Sequence, residues 1–273
     1  MCGTCGCTIT EGNQHLVTGD GQHAHTEKGG KAVDILQNLL SANDHQAQHN
    51  REHFDKHTVL AINLMSSPGT GKTALLETTI EALKEEFSIA VIEGDLETEN
   101  DANRIRAHGV PAVQIVTGTA CHLDAHLVHK ALHSLDLAKL DIVFIENVGN
   151  LVCPASFDLG HHSNITLLST TEGDDKPLKY PVMFRAADAV LITKTDLLAV
   201  LDDFSCEKVK SNMQQLANTA PVLQLSATKN QNIEPWLTWI RAEIQAYKKR
   251  LAEGTTQQPK IQADSIHTHS SHS

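Results

Sequence analysis

The sequence has no run of about 18 apolar residues, and its opening lacks the apolar stretch of a secretory leader, so it is expected neither to span a membrane nor to be exported. A cytoplasmic protein is implied. It also lacks a basic excess: 22 Lys and Arg stand against 33 Asp and Glu, a formal net charge of −11. That argues against a nucleic-acid partner, which would need a basic face. Missing too is a paired Cys-x-x-Cys framework, and the six Cys of a cytoplasmic chain are expected to stay reduced and to serve metal or redox chemistry. The 17 His point the same way. At 273 residues the chain can bury the core of one large domain.

What is present is organised around Ser66-Ser67-Pro68-Gly69-Thr70-Gly71-Lys72-Thr73. An apolar run, Thr58 to Met65, precedes it, and a segment that reads as a helix, Ala74 to Glu86, follows. Strand, turn and helix in this order aim several backbone N–H groups and the positive end of a helix dipole at one spot. The spot is built for phosphate. It is a P-loop of the form G-x-x-x-x-G-K-[ST] with Ser66 in place of the first Gly; Gly69, Thr70 and Gly71 form its turn, Lys72 is expected to reach the β- and γ-phosphates, and Thr73 to ligate Mg²⁺.

Further nucleotide contacts follow in chain order. The strand Ser88 to Asp95 ends in Asp95, which either serves Mg²⁺ beside the phosphates or caps the next helix. The strand Asp141 to Ile145 delivers Glu146 to the Walker B position, and Gly149 offers an N–H to the γ-phosphate. Lys72, Thr73, Asp95 and Glu146 are the candidate catalytic residues. After the strand Asp188 to Ile192 comes Thr193-Lys194-Thr195-Asp196, where the Asp196 carboxylate can accept from guanine N1–H and N2–H₂. Adenine has no such pair of donors, so GTP is favoured. Thr193 stands where Asn is usual and cannot reproduce its amide contacts. Ser226-Ala227-Thr228, after the strand Pro221 to Leu225, is similar to a second guanine-contacting loop. No Gln or Arg is obviously placed to orient water, so hydrolysis is expected to be slow.

Cys and His gather in several places. Cys2, Cys5 and Cys7, with Gly between them, suit capture of a soft or borderline metal such as Ni²⁺ or Zn²⁺. Cys121-His122 follows the strand Ala112 to Val116, and Cys153 lies four residues beyond Gly149, so a loop that moves with the γ-phosphate drags a thiolate with it. His45, His49, His53 and His57 recur at a four-residue step on an expected helix, and His122, His126, His129 and His133 share one face of another. Either stripe is a weak metal face or a solvated one. The chain divides into a flexible metal-binding arm (1–31), a helix with a His stripe (32–57), a nucleotide domain (58–252) and a disordered His-containing tail (253–273).

With the P-loop, Glu93-Gly94-Asp95, Cys121-His122, Glu146-Asn147-Val148-Gly149-Asn150-Leu151-Val152-Cys153-Pro154 and Thr193-Lys194-Thr195-Asp196 in this order, the chain closely resembles the HypB family of hydrogenase maturation GTPases, over roughly Leu60 to Trp239. The resemblance implies an α/β P-loop NTPase of SIMIBI type, a mainly parallel sheet flanked by helices with a Cys/His-containing N-terminal arm. It implies a GTPase that forms a GTP-dependent homodimer and delivers nickel to the [NiFe]-hydrogenase large-subunit precursor alongside a HypA-type chaperone. Cys121, His122 and Cys153 would form a metal site at the dimer interface, and Cys2, Cys5 and Cys7 a high-affinity N-terminal site. A Lys within Lys176 to Pro181 would approach the partner's nucleotide. Two alternatives stay open: a urease-type metallocentre GTPase, whose Cys-Pro-His motif is not found here, and a nickel storage or detoxification protein with a nucleotide switch.

Overall fold

The computed structural model describes residues 28–95, 100–118 and 120–260, with side chains from Leu40 onwards except that of Asp95. Cys2, Cys5, Cys7 and the tail beyond Lys260 lie outside the described residues. Seven strands form one parallel sheet: β1 (Leu60–Met65), β2 (Ile89–Asp95), β3 (Ala112–Val116), β4 (Ile142–Glu146), β5 (Ser163–Ser169), β6 (Ala189–Thr193) and β7 (Val222–Gln224). Their order is β3-β2-β4-β1-β5-β6-β7. The order reverses direction at β1, between β4 and β5, and the crevice beyond the carboxyl ends of strands at such a switch point is where open α/β sheets bind ligands.

The sheet is buried on both faces, as parallel sheets are. Leu60, Ile62 and Leu64 of β1 turn to one side, where Leu75, Leu76 and Ile80 of α2 (Lys72–Leu83) and Trp236, Ile240 and Ile244 of α8 (Glu234–Ala252) pack against them. Trp236 is buried with its indole N–H donated to Thr79 Oγ1 at 2.9 Å, so the largest side chain of that layer leaves no polar atom unpaired. On the other face Ala61, Ile92 and Val143 meet Phe54 of α1 (Lys28–Lys56) and Val128 of α4 (Ala125–Leu132).

Three features depart from the sequence reading. Helix α1 starts at Lys28 rather than Ala32 and is fastened to the domain: Arg51 pairs with Asp158 at 2.6 Å, and Asn50 donates to Ala125 O and Leu159 O. Residues 254–260, expected to leave the domain, stay on it. Pro259 is buried, Gln257 donates to Ser163 Oγ at 3.2 Å and Lys260 pairs with Asp188 at 3.5 Å. Strand β5, which lies beside β1 at the middle of the sheet, was not read from the sequence. Its residues Ser163, Asn164, Thr166 and Ser169 are polar yet buried, which removes both the apolar run and the alternation that announce a strand.

Candidate nucleotide and metal site

The P-loop leaves β1 and enters α2. Gly71 caps that helix at φ 101°, a left-handed backbone that only Gly adopts without strain, while Ser66, which is buried, has no such demand placed on it. Lys72 Nζ donates to Ser66 Oγ at 3.1 Å and lies 3.9 Å from Glu146 Oε1. Thr73 Oγ1 donates to the same carboxylate at 3.1 Å. The loop, the Walker B acid and the helix N-terminus therefore meet as the sequence required.

Asp95 ends β2 in register with Val116, and its side chain is outside the described set. Two residues earlier stands a carboxyl that the sequence reading missed: Glu93 pairs in register with Glu146 across β2 and β4. Burial first, and then the neighbouring Glu146 carboxyl, push Glu93 up to about 11, and burial also raises Glu146 against the pull of Lys72. Glu93 Oε2 and Glu146 Oε2 are buried with no hydrogen-bond partner among the described residues. Glu146, which accepts from Thr73, and Glu93 beside it thus present two buried, unpartnered carboxyl oxygens, hard donors that fit Mg²⁺, an ion held by few protein oxygens together with waters and phosphates.

The Thr193–Asp196 loop, expected to read the base, is tied to the P-loop. Thr193, expected to forgo the contacts of an Asn, donates its hydroxyl to Thr70 O at 2.8 Å, and Lys194 Nζ donates to Gly69 O at 2.7 Å. Asp196 Oδ1 and Ser226 Oγ are both buried without a hydrogen-bond partner among the described residues. Thr195 N–H donates to Leu225 O, which holds the segments carrying Asp196, Ser226 and Ala227 side by side. A second missed residue, Glu172 in the loop after β5, accepts from Ser67 Oγ, from Thr70 Oγ1 at 2.6 Å and from Ser169 N–H at 3.2 Å. It fastens to the P-loop the segment that leads into α5 (Lys176–Lys179).

Cys121, His122 and Cys153 converge, their ligand atoms all within 4.8 Å of one another. The two sulfurs lie 3.1 Å apart as thiols, and Cys121 Sγ is 3.5 Å from His122 Nδ1. His122 stacks on Phe157 with ring centroids 3.9 Å apart, and burial lowers its proton affinity, which leaves a neutral imidazole with a lone pair for a metal. The four-His face expected from His122 to His133 is broken here. Asp124, whose carboxylate accepts from Leu127 N–H at 2.8 Å, caps α4, so His122 precedes the helix and joins the thiols instead.

The Cys121–His122–Cys153 trio is joined to Glu146 by six intervening residues, two of which, Asn147 and Asn150, reach back to the Cys121-His122 segment. Asn147 Oδ1 accepts from Leu123 N–H at 3.1 Å, next to His122, and Asn150 Nδ2 donates to Cys121 O at 3.3 Å. Gly149 lies against the P-loop: a Cβ there would stand 2.8 Å from Pro68 Cα and N. The same short loop thus touches the phosphate cradle at one point and both flanks of Cys121-His122 at others. Neither Asn was singled out in the sequence, because an Asn gives no sign of which buried backbone groups it will satisfy.

Residues 60–224 match the family described as CobW/HypB/UreG, nucleotide-binding domain. The chain is 48% identical over 232 residues to the hydrogenase maturation factor HypB of Azotobacter vinelandii, covering 85% of this chain and 76% of that one. To the hydrogenase/urease maturation factor HypB of Helicobacter hepaticus it is 49% identical over 207 residues, 74% of this chain and 84% of that one. Among solved structures, HypB from Helicobacter pylori in complex with nickel superposes with a TM-score of 0.71 at 42% identity, covering 79% of this chain and 98% of that one.

Proposed function

Because the chain belongs to the HypB family of hydrogenase maturation factors, we propose that it is a GTP-hydrolysing nickel metallochaperone that hands nickel, its cargo, to the [NiFe]-hydrogenase large-subunit precursor. The observation that carries this reading is the position of Cys153: it closes the Cys121–His122–Cys153 trio at the end of a loop that starts at Glu146, the acceptor of the Thr73 hydroxyl. Nucleotide state and cargo site share one segment.

In this reading Gly69 to Thr73 cradle the phosphates, Lys72 neutralises charge that builds on them, and Asp196, with Lys194, Ser226 and Ala227, selects guanine. Mg²⁺, held by Thr73 and Glu146 with Asp95 or Glu93 nearby, supplies charge neutralisation at the β- and γ-phosphates. Two thiolates and one imidazole suit nickel and zinc alike, and leave room for a further ligand from water or a partner. Val152 (56% exposed), beside Cys153, and Leu178 (44% exposed), in α5, are apolar surface that a GTP-dependent homodimer would cover. Cys2, Cys5 and Cys7 would take up metal first, from a HypA-type chaperone or from solution.

The test is reconstitution: hydrogenase precursor, a HypA-type chaperone, nickel and GTP with the purified protein. Nickel incorporation should require GTP and be lost on Lys72→Ala and on Cys121→Ser with Cys153→Ser, with turnover of about 10⁻⁴ to 10⁻² s⁻¹ for the protein alone. Incorporation that survives Lys72→Ala would make nickel delivery independent of the nucleotide domain, and no incorporation by the unchanged protein with GTP would leave it as a nickel store.

A further inference from the structure

Two His stripes that the nucleotide and thiolate sites leave unused come together in the fold. One runs along α1 at a four-residue step and the other lies on α4, and these two helices pack against each other. The rings of His49 and His53 have centroids 4.6 Å apart, His49 and His129 5.1 Å, His53 and His129 5.9 Å, and His129 and His133 4.7 Å. With metal–nitrogen bonds of about 2.0–2.1 Å, two imidazoles on one ion place their ring centroids about 4.5 Å apart at a right angle and about 5.2 Å apart in a tetrahedron. Three of the four separations lie within or next to that range. His49 and His133 are exposed, so their rings can turn to bring the nitrogens together.

A second observation fixes the central ring. Asn50 is fully buried and donates both protons of its amide nitrogen, to Ala125 O at 2.8 Å and to Leu159 O at 3.0 Å. Its Oδ1 can only accept, and His129 Nδ1 lies 3.0 Å from it. The proton of neutral His129 therefore sits on Nδ1, and Nε2 carries the free lone pair. A buried hydrogen-bond partner that sets the tautomer and orientation of a His is the arrangement found behind metal-ligating imidazoles. An open cavity of about 280 Å³ lined by His53, His57, His129 and His133 adjoins the cluster.

We propose that His49, His53, His129 and His133 form a second metal site, one that takes a borderline divalent cation such as Ni²⁺ or Zn²⁺ through imidazole nitrogens alone, separate from Cys121, His122 and Cys153. Imidazole suits such cations, and the absence of thiolates makes the site weaker and faster to empty than the Cys sites. It bridges α1 and α4, the helix that starts just after Cys121-His122, so metal held there lies on the element next to the thiolate trio.

The experiment uses the full chain with Cys2, Cys5, Cys7, Cys121 and Cys153 changed to Ser, titrated with Ni²⁺ alone by equilibrium dialysis and examined by X-ray absorption. The expected result is nickel bound with nitrogen and oxygen ligands only. Adding His49→Ala with His129→Ala should remove one equivalent or weaken it at least about tenfold. His45→Ala, on α1 outside the cluster, should change nothing. The His of both termini are present in every variant, so the difference between variants reads the cluster alone. His49→Ala by itself alters an exposed side chain and should weaken nickel in the same direction without touching the core. Equal nickel uptake with and without His49 and His129, or an equal loss on His45→Ala, overturns the site.

Discussion

At the scale of single residues, an unpartnered polar atom at the mouth of the nucleotide site is a place for a ligand to donate or accept. Asp196 Oδ1 is buried with no hydrogen-bond partner among the described residues, at the end of a loop anchored to the P-loop by Thr193 and Lys194. An acceptor held this way is costly unless a ligand donates to it, and guanine supplies two donors. Asp196→Asn should therefore reverse the preference: GTP affinity should fall by several kcal/mol, a discrimination of about 10⁴, while xanthosine triphosphate, which offers a carbonyl to the new amide, should gain. Competition between the two nucleotides reads this directly. A mutant that keeps the original preference for GTP removes Asp196 from base recognition. A different residue-scale case is His161, fully buried, whose Nδ1 accepts from Leu159 N–H at 3.4 Å and whose Nε2–H donates to Asn164 Oδ1 at 2.7 Å. Both nitrogens serve the neutral ring, and burial lowers its pKa to about 4 from 6.5. Between those values the unfolded chain binds a proton that the folded one refuses, so stability rises with pH across the window, is complete above about 6.5, and is lost as pH falls towards about 4. The total is about 3 kcal/mol. Denaturant unfolding at a series of pH values should show this slope, and His161→Asn, whatever its absolute stability, should flatten it.

At the scale of elements, the loop from Glu146 to Cys153 joins the P-loop contacts to the Cys121–His122–Cys153 trio. Gly149 packs so closely on Pro68 that a methyl group would strike backbone atoms at 2.8 Å, which cannot swing aside as a side chain would. Gly149→Ala should push the loop off the phosphate cradle at a cost of about 1–3 kcal/mol, and, on the expectation that the Gly149 N–H serves the γ-phosphate, should weaken a non-hydrolysable GTP analogue more than GDP. Equal weakening of both would make Gly149 a packing residue alone. This element was largely legible in the sequence: an apolar strand, an acid at its end, then Gly and Cys at short spacing. The P-loop was legible for the same reason, since Gly71 and Lys72 have few structural substitutes. Strand β5 was hidden because its buried polar side chains find their use in groups far away in sequence, such as Asn63 Nδ2, which donates to Asn164 Oδ1 at 2.9 Å, and Glu243, which accepts from Ser163. The start of α4 was misplaced because an unbroken 3.6-residue spacing of His outweighed the Asp124 cap. Glu93 and Glu172 escaped notice for a third reason: a carboxylate's worth depends on which other groups the fold brings to it, and in the sequence both are ordinary Glu.

At the scale of the whole molecule, the two candidate sites share one loop. Glu146 and Gly149 touch the phosphate cradle, while Asn147 and Asn150 grip the backbone on either side of Cys121-His122, and Cys153 completes the trio. A displacement of the loop between GTP and GDP states must either move Cys153 relative to the other two ligands or carry all three together through the Asn contacts. These alternatives differ in outcome. In the first, metal affinity depends on nucleotide; in the second, it does not. The first is the expected outcome, because Cys121 and His122 lead directly into α4, which Asp124 caps, whereas Cys153 stands at the far end of the loop itself. Nickel affinity measured with Cys2, Cys5 and Cys7 changed to Ala should therefore differ between GDP and a non-hydrolysable GTP analogue by about 1–3 kcal/mol, and nickel should alter the ratio of GTP to GDP affinity by the same factor. Asn147→Ala frees Leu123 N–H from the loop and so separates the two effects. If the Asn contacts only tether, the variant should keep the coupling or increase it, and if they transmit, the variant should abolish it. Equal nickel affinities in the two nucleotide states of the parent protein would rule out release driven by hydrolysis.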